Sequence, residues 1–277
     1  MIPASVQSHI AYKELTELSS KDVRLALRTN AYTAHTAGLS PGKLQCNLVI
    51  LPGADGVDFG EFCEANPIFC PLIGTSRIGA TDMPELGQDI DLRSDLPLYF
   101  VYRRGQVVER VKDIMAIWRD DLMAFAIGCS FTFEHALMRA GIEMRHVTDG
   151  VTVPMFRTNI QTKSVGRFGG SAVVSMRPIP KHRVEEVKRI CAAFPYAHGA
   201  PIHVGSAEEI GIEDISQPDW GEGVTIGDGE VPAFWGCGVT TQEALVSAAP
   251  EIAITHAPGA MLITDLDEAD PFQNGVA

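Results

Sequence analysis

The stretch GCSFTFEHAL, residues 128–137, decides how this chain folds. It follows the apolar run Ala124-Phe125-Ala126-Ile127 and opens directly into a helical pattern. GCGVTTQEAL, residues 236–245, repeats it after Pro232-Ala233-Phe234-Trp235. Aligned without gaps, the two copies share Gly, Cys, Thr, Ala and Leu, and Glu134 faces Gln242. Glycine allows a tight turn or a close backbone approach, Ser or Thr can cap free N–H groups, and Ala and Leu favour a helix. Both copies therefore read as helix N-termini. In the second, Thr240 and Glu243 have capping-box spacing; in the first, His135 stands where the glutamate would be. Free N–H groups at a helix start attract carboxylate or phosphate, so two starts facing one cleft would suit a dicarboxylate. The same location lowers a thiol pKa, which makes Cys129 and Cys237 candidate reactive groups. The plainer alternative is two small buried fillers beneath capped helices.

Working outward, Leu48-Val49-Ile50-Leu51, closed by Pro52-Gly53, reads as a buried strand. Leu98–Tyr102 has strong strand propensity, and Arg103-Arg104-Gly105-Gln106 reads as a hairpin turn before Val107-Val108. A helix is expected between that hairpin and the first quoted stretch. Residues 6–29 have a helical rhythm interrupted at Ser19-Ser20, which could cap a second helix through Asp22. CEANPIFCPL (63–72) reads as a loop, and residues 74–97, rich in Gly, Asp and Pro, as an extended surface connection. Ser171–Met176, Pro201–Val204, Ile252–His256 and Met261–Asp265 read as strands, and Lys181–Ala193 as an amphipathic helix. The expected fold class is α/β, with a larger discontinuous three-layer α/β domain (1–149 and 216–277) and a smaller inserted two-layer α+β domain (150–215).

A chain of 277 residues can bury a sizeable core, and with 45% hydrophobic and 21% charged residues it reads as an ordinary globular protein. No run approaches the roughly 18 apolar residues that would span a bilayer. Met1-Ile2-Pro3-Ala4-Ser5 lacks the basic and apolar regions of a leader, so the expectation is a cytoplasmic protein with no membrane partner. A net charge of −13 without a basic stripe argues against nucleic acid. Six scattered cysteines suggest free thiols. Arg157, Asn159 and Arg167 sit in loop-like surroundings where a guanidinium could grip a carboxylate, although a solvated arginine is equally plausible. His198 and His203 are five apart, which on a strand puts them on opposite faces, and Cys63 and Cys70 lack a second pair; no metal is expected. His256 and Asp265 lie at strand ends, where either could serve as acid or base or simply cap a turn. No GxGxxG or P-loop pattern supports a nucleotide cofactor.

The stretches NLVILP (47–52), CEANPIFCPL (63–72), WRDDLMAFAIGCSFTFEHAL (118–137), VPMFRTNI (153–160), GRFGGSAVVSMRPIP (166–180), HGAPIHVG (198–205), VPAFWGCGVTTQEAL (231–245) and ITHAPGAMLITD (254–265) together resemble the D-glutamate cyclase family. The resemblance runs from about Gly38 to Asp265 in the same order. It implies a larger α/β domain with a smaller insert, and conversion of D-glutamate to 5-oxo-D-proline with loss of water. In one departure, Ala260 stands where the family pattern has a His after Pro258-Gly259. Carried onto the residues, the helix starts at Cys129, Ser130 and Thr132 and at Cys237, Thr240 and Thr241 would bind the two carboxyl groups of a small amino dicarboxylate. Arg157, Asn159 and His256 would fix its orientation. Glu134 or Asp265 would move protons, with burial raising its pKa toward neutrality. No cofactor is required, and a homo-oligomer is left open. Two rival readings stand beside this one. Cys129 and Cys237 flanking an α-carbon would make a cofactor-independent racemase, and the missing histidine would suit a non-catalytic carboxylate binder.

Overall fold

A computed structural model describes residues 10–268. Residues 1–9, which include the segment read for a leader and the first residues of the expected helix, lie outside them. The chain runs α1 (Tyr12–Leu15), α2 (Ser20–Arg28), β1 (Lys43–Pro52), α3 (Gly53–Ala65), β2 (Leu72–Thr75), β3 (Tyr99–Arg103) and β4 (Gln106–Val111). It continues through β5 (Leu122–Gly128), α4 (Phe131–Arg139), α5 (Arg145–Asp149), β6 (Met155–Gln161), β7 (Ser171–Pro180), α6 (Val184–Ala192), β8 (His203–Val204), β9 (Glu230–Gly236), α7 (Thr240–Ala248), β10 (Ala253–His256) and β11 (Leu262–Asp267). The fold is mixed α/β with two sheets, and every strand pairing is antiparallel.

The larger sheet has the order β2-β5-β1-β10-β3-β4, with β11 pairing the first half of β1 where β10 pairs the second. β1 is long because its residues are wanted on both faces. Leu44, Cys46, Leu48 and Ile50 join a core roofed by Met83, Leu86, Ile90, Leu92 and Leu96. Val49 and Leu51, on the other face, meet Phe59 and Phe62 of α3. The segment 76–98 is irregular, as expected, yet it is no mere surface connection, because its apolar residues close one face of the sheet. The β3–β4 hairpin turns at Arg104 and Gly105, both with positive φ (49° and 77°), the pairing that a tight two-residue turn between twisted strands needs. Ser19 caps α2 by accepting the Asp22 N–H, as its position suggested. The helix expected before the first quoted stretch is only a single 3-10 turn, Met115–Ile117, and β5 leads into the turn instead.

The second sheet has the order β6-β7-β9-β8. Its β9 lies beyond the expected boundary at 215, and its helical cover comes partly from α4, before 150. The boundary is corrected for a physical reason: β7 is apolar along most of its ten residues and takes partners on both edges, of which residues 150–215 supply only β6.

The two quoted stretches exchange helices between the sheets. β5 belongs to the larger sheet, yet α4 packs Phe133 and Leu137 against Ile179, Ala233 and Trp235 of the smaller one. β9 belongs to the smaller sheet, yet α7 packs Ala244, Leu245 and Ala248 against Val49, Phe125 and Ala253 of the larger one. Both turns therefore lie at the junction of the sheets, where backbone crosses backbone. A side-chain methyl at Gly128 would collide with the Tyr196 carbonyl oxygen, and one at Gly236 with the Ile68 carbonyl oxygen. Gly128→Ala and Gly236→Ala should each destabilise the protein by about 1–3 kcal/mol or more, because backbone cannot step aside as a side chain can. Urea melts of the two variants check this, and wild-type midpoints would remove the constraint.

Candidate active site

Cys129, Ser130 and Phe131 from the first turn, and Cys237 and Val239 from the second, line one small cavity. Asn47 and His256 of the larger sheet face it, and Thr152, Val153, Met155, Gly259 and Met261 complete the wall. The space amounts to about 20 Å³, enough for a single water molecule. The convergence expected of the two helix starts is therefore present.

Neither start carries a side-chain cap on its own helix. The Thr240–Glu243 capping box does not form: the Thr240 hydroxyl oxygen accepts the Val173 N–H at 2.9 Å, and Glu243 pairs with Arg157. Instead the N–H two residues on points at each thiol, Phe131 at Cys129 and Val239 at Cys237. Those bonds lower the thiol pKa values, as expected of helix starts, but burial acts more strongly in the other direction. Cys129 is pushed up to about 12 and Cys237 up to about 11, so both are neutral thiols at physiological pH.

His256 lines the cavity from the end of β10. Its Nδ1 lies 3.2 Å from the Leu48 nitrogen and 3.3 Å from the Leu48 carbonyl oxygen, while its Nε2 is buried with no hydrogen-bond partner. Burial presses the imidazole down to about 4, so the ring is neutral. Asn47 donates to the Gly128 carbonyl at 2.7 Å, tying β1 to the first turn. Asn47 carried a signal in the sequence as one of two amides, with Gln45, in the otherwise apolar run 44–52; Thr152 carried none.

Other expected site residues lie elsewhere. Glu134 is buried one layer behind the cavity, held by Arg177 and His146. Burial alone would raise its pKa, but those partners outweigh burial and hold the carboxyl at about 2, so it is no general acid near neutrality. Asp265 lies beside α2, bonded to Arg24, Ser20 and the Gln88 N–H. Burial raises its pKa, the Arg24 and Ser20 bonds prevail, and the group stays below the usual carboxylate range. Arg157 stacks on Trp220, pairs with Glu243 and Asp219, and faces a separate cleft of about 330 Å³. Asn159 is exposed beside Gly211. The hydroxyl of Thr132 accepts the Gln45 N–H at 3.5 Å and that of Thr241 donates to the Gly238 carbonyl at 2.7 Å, so both shape the turns without facing the cavity. All six cysteines are free, and no cluster of metal-ligating side chains occurs among the described residues. No helix among them is long and apolar enough to cross a membrane.

A family model described as D-glutamate cyclase matches residues 123–265, a span holding both turns and the cavity's cysteines and histidine. Proteins named "Putative hydro-lyase" are similar over most of their length. That of Jannaschia sp. strain CCS1 is 52% identical over 89% of this chain and 92% of its own. Those of Dinoroseobacter shibae and Ruegeria pomeroyi are also 52% identical, over 90% and 94% of this chain and 96% and 94% of theirs. A cavity built from helix starts, neutral thiols and an imidazole thus sits in an enzyme of the hydro-lyase class, the carbon–oxygen lyases that release water. Within that class, the chain belongs to the D-glutamate cyclase family.

Two expectations follow from the geometry. Arg157→Met should leave the Michaelis constant for a dicarboxylate substrate within about twofold, since its guanidinium is committed outside the cavity; a tenfold rise would return Arg157 to the site. The second concerns pH. His198 and His256 both sit at about 4 in the fold against an ordinary value of 6.5, so the unfolded chain takes up protons first. Stability should fall as pH drops from 6.5 toward 4, by up to about 3 kcal/mol for each ring, and then level off with respect to these groups. Glu134 acts in a different window, stabilising above about 4.5 and losing its contribution only as pH falls toward 2. Denaturant titrations at pH 7 and 4.5 check the sign, and His256→Gln should remove roughly half of the slope.

Proposed function

We propose that the cavity binds D-glutamate, or a closely related amino dicarboxylate, and closes it to 5-oxo-D-proline with loss of water. The observation that supports this reading most is the convergence of both helix starts on one cavity that also holds the unpartnered Nε2 of His256. In the reaction the amine nitrogen forms a bond to the side-chain carboxyl carbon, and the bond from that carbon to one oxygen breaks. Three things are needed: a neutral amine, donors for the tetrahedral oxyanion, and a proton for the departing oxygen.

The helix starts provide a positive dipole end for each carboxyl group, which folds the substrate back on itself and supplies proximity. His256 takes the ammonium proton at Nε2 and passes it to the side-chain carboxyl, which becomes the neutral acid. Once the nitrogen has bonded the carboxyl carbon, His256 takes a second proton from that nitrogen and gives it to the hydroxyl, which leaves as water. A bound carboxylate beside the ring raises the imidazole above about 4, which improves it as a base only once substrate is present. The cavity has room for only one water molecule, so a larger substrate requires its wall to part before binding. Two neutral thiols suit this chemistry better than proton transfer at an α-carbon, which would need one of them as thiolate.

Incubating the protein with D- and L-glutamate, D- and L-aspartate and glutarate, with products followed by chromatography and mass spectrometry, tests the reading. The expected result is 5-oxo-D-proline from D-glutamate, with no deuterium entering the α-carbon in heavy water. His256→Gln should reduce kcat by about 10²–10⁴, while Cys129→Ser and Cys237→Ser should each keep it within about tenfold. Deuterium at the α-carbon with loss of either thiol abolishing it would establish the racemase. Calorimetric binding of D-glutamate without any product would establish a carboxylate binder.

A further inference from the structure

Behind the cavity lies a cluster of buried charges that the cyclisation steps above do not use. Arg177 is fully buried, with its guanidinium against the packed ring pair of Phe133 and Trp235, 5.2 Å from each centroid. Its Nε donates to Glu134 at 2.9 Å, one terminal nitrogen donates to the Ser175 hydroxyl oxygen at 2.8 Å, and the other donates both to Glu134 and to the Ser130 hydroxyl oxygen, the latter at 2.9 Å. His146 Nε2 lies 3.2 Å from one Glu134 carboxylate oxygen and 3.3 Å from the other. Four donated bonds and two ring faces leave the guanidinium one position to occupy.

The consequence falls on Ser130, which lines the cavity and is itself only 4% exposed. A hydroxyl has one proton to donate and two lone pairs. Arg177 fills a lone pair, and among the described residues nothing accepts the proton. A cation bonded to the oxygen makes the hydroxyl a poorer nucleophile and base and a stronger donor. Unlike a free serine rotor, this one is anchored from behind, so its proton is left for whatever occupies the cavity.

We propose that Ser130 is a catalytic residue that donates its hydroxyl hydrogen bond to the carboxyl oxygen that becomes the tetrahedral oxyanion, and that Arg177, Glu134 and His146 are positioning residues that hold it there. The proposal rests on the cyclisation reading. As the amine nitrogen bonds to the carboxyl carbon, the C=O electron pair moves onto that oxygen and the Ser130 hydrogen bond strengthens with the growing charge. When the bond to the hydroxyl oxygen breaks, that hydroxyl leaves as water with the second amine proton, carried by His256, and the pair returns to re-form C=O; Ser130 keeps its own proton throughout. Glu134 balances the Arg177 charge, so the donor is presented without a net cation beside the substrate.

The closing experiment compares wild type, Ser130→Ala and Ser130→Thr. It measures D-glutamate turnover and calorimetric binding of D-2-amino-4-phosphonobutyrate, whose tetrahedral phosphonate copies the addition intermediate. Ser130→Ala should lower kcat by about 10²–10³, leave KM within about threefold, and weaken the phosphonate at least tenfold, with a melting temperature close to wild type. Ser130→Thr, which keeps the hydroxyl, should recover part of both. Arg177→Lys keeps a charge but cannot reach Glu134, Ser175 and Ser130 together, and should reproduce the kcat loss with KM spared. An active wild type whose Ser130→Ala variant keeps kcat and phosphonate affinity within twofold overturns the Ser130 role alone. A wild type that neither turns over D-glutamate nor binds the phosphonate overturns the cyclisation reading, and the Ser130 role with it.

Discussion

Two backbone crossings hold this architecture together: the Tyr196 carbonyl against Gly128 and the Ile68 carbonyl against Gly236. Each strand can pass its helix to the opposite sheet only because neither turn carries a Cβ at the crossing. His198 ties the two crossings together. Its Nδ1 lies 2.8 Å from the Ile68 carbonyl oxygen, a further bond to the Gly128 backbone supports the ring, and burial keeps the imidazole neutral at about 4. The exchanged helices then bury large side chains in the foreign core, Phe133 against Trp235 at 5.4 Å and Leu245 against the larger sheet. The cavity is what remains between two helix starts held this close. Its position follows from the crossings and not from any one of its lining residues.

The repeat made this region legible, because glycine, cysteine and a small helix-forming run reflect local demands that recur at both turns. Strands at 48–51, 98–102, 171–176 and 252–256 were legible for the same reason, as was the Ser19 cap. Long-range pairing was not. Glu134 looked like a candidate acid because nothing near it in sequence reveals Arg177, 43 positions away. Arg157 and Asp265 looked free because Trp220, Glu243 and Arg24 come from other elements. α3 was hidden by Gly53, Gly56 and Gly60, which weaken a helix by propensity; Gly56 is needed because Met123 of β5 packs where a methyl would stand. The boundary at 215 was not legible because β9, an inner strand between β7 and β8, carries no mark of which sheet it will join.

The thiols show how magnitudes decide between two correct local arguments. A helix end contributes about 0.3–2 kcal/mol toward ionising a nearby group. Moving Cys129 from 9 to about 12 corresponds to about 4 kcal/mol in the opposite direction. Desolvation therefore wins, and the same dipole ends that fail to ionise a thiol stay available for an anion entering from outside. A substrate carboxylate brings its charge with it, whereas a buried thiol would have to create one.

The same balance bears on the proposed cyclisation. In water the substrate carries an ammonium and two carboxylates, and neither reacting partner is in the form the chemistry needs. A small, largely apolar cavity disfavours separated charges, so moving the ammonium proton by way of His256 toward the side-chain carboxyl becomes easier there than in solution. That transfer yields the neutral amine and the neutral acid together. The remaining carboxylate keeps its charge against a helix start, and the ion pair of Arg177 and Glu134 stays a layer behind, where it polarises Ser130 without offering the substrate a full counter-charge. A cationic side chain in the cavity itself would hold the reacting group as a carboxylate and work against the loss of water. The arrangement instead places dipoles at the surface of the cavity and monopoles beneath it, which favours a reaction that consumes charge over one that must create it.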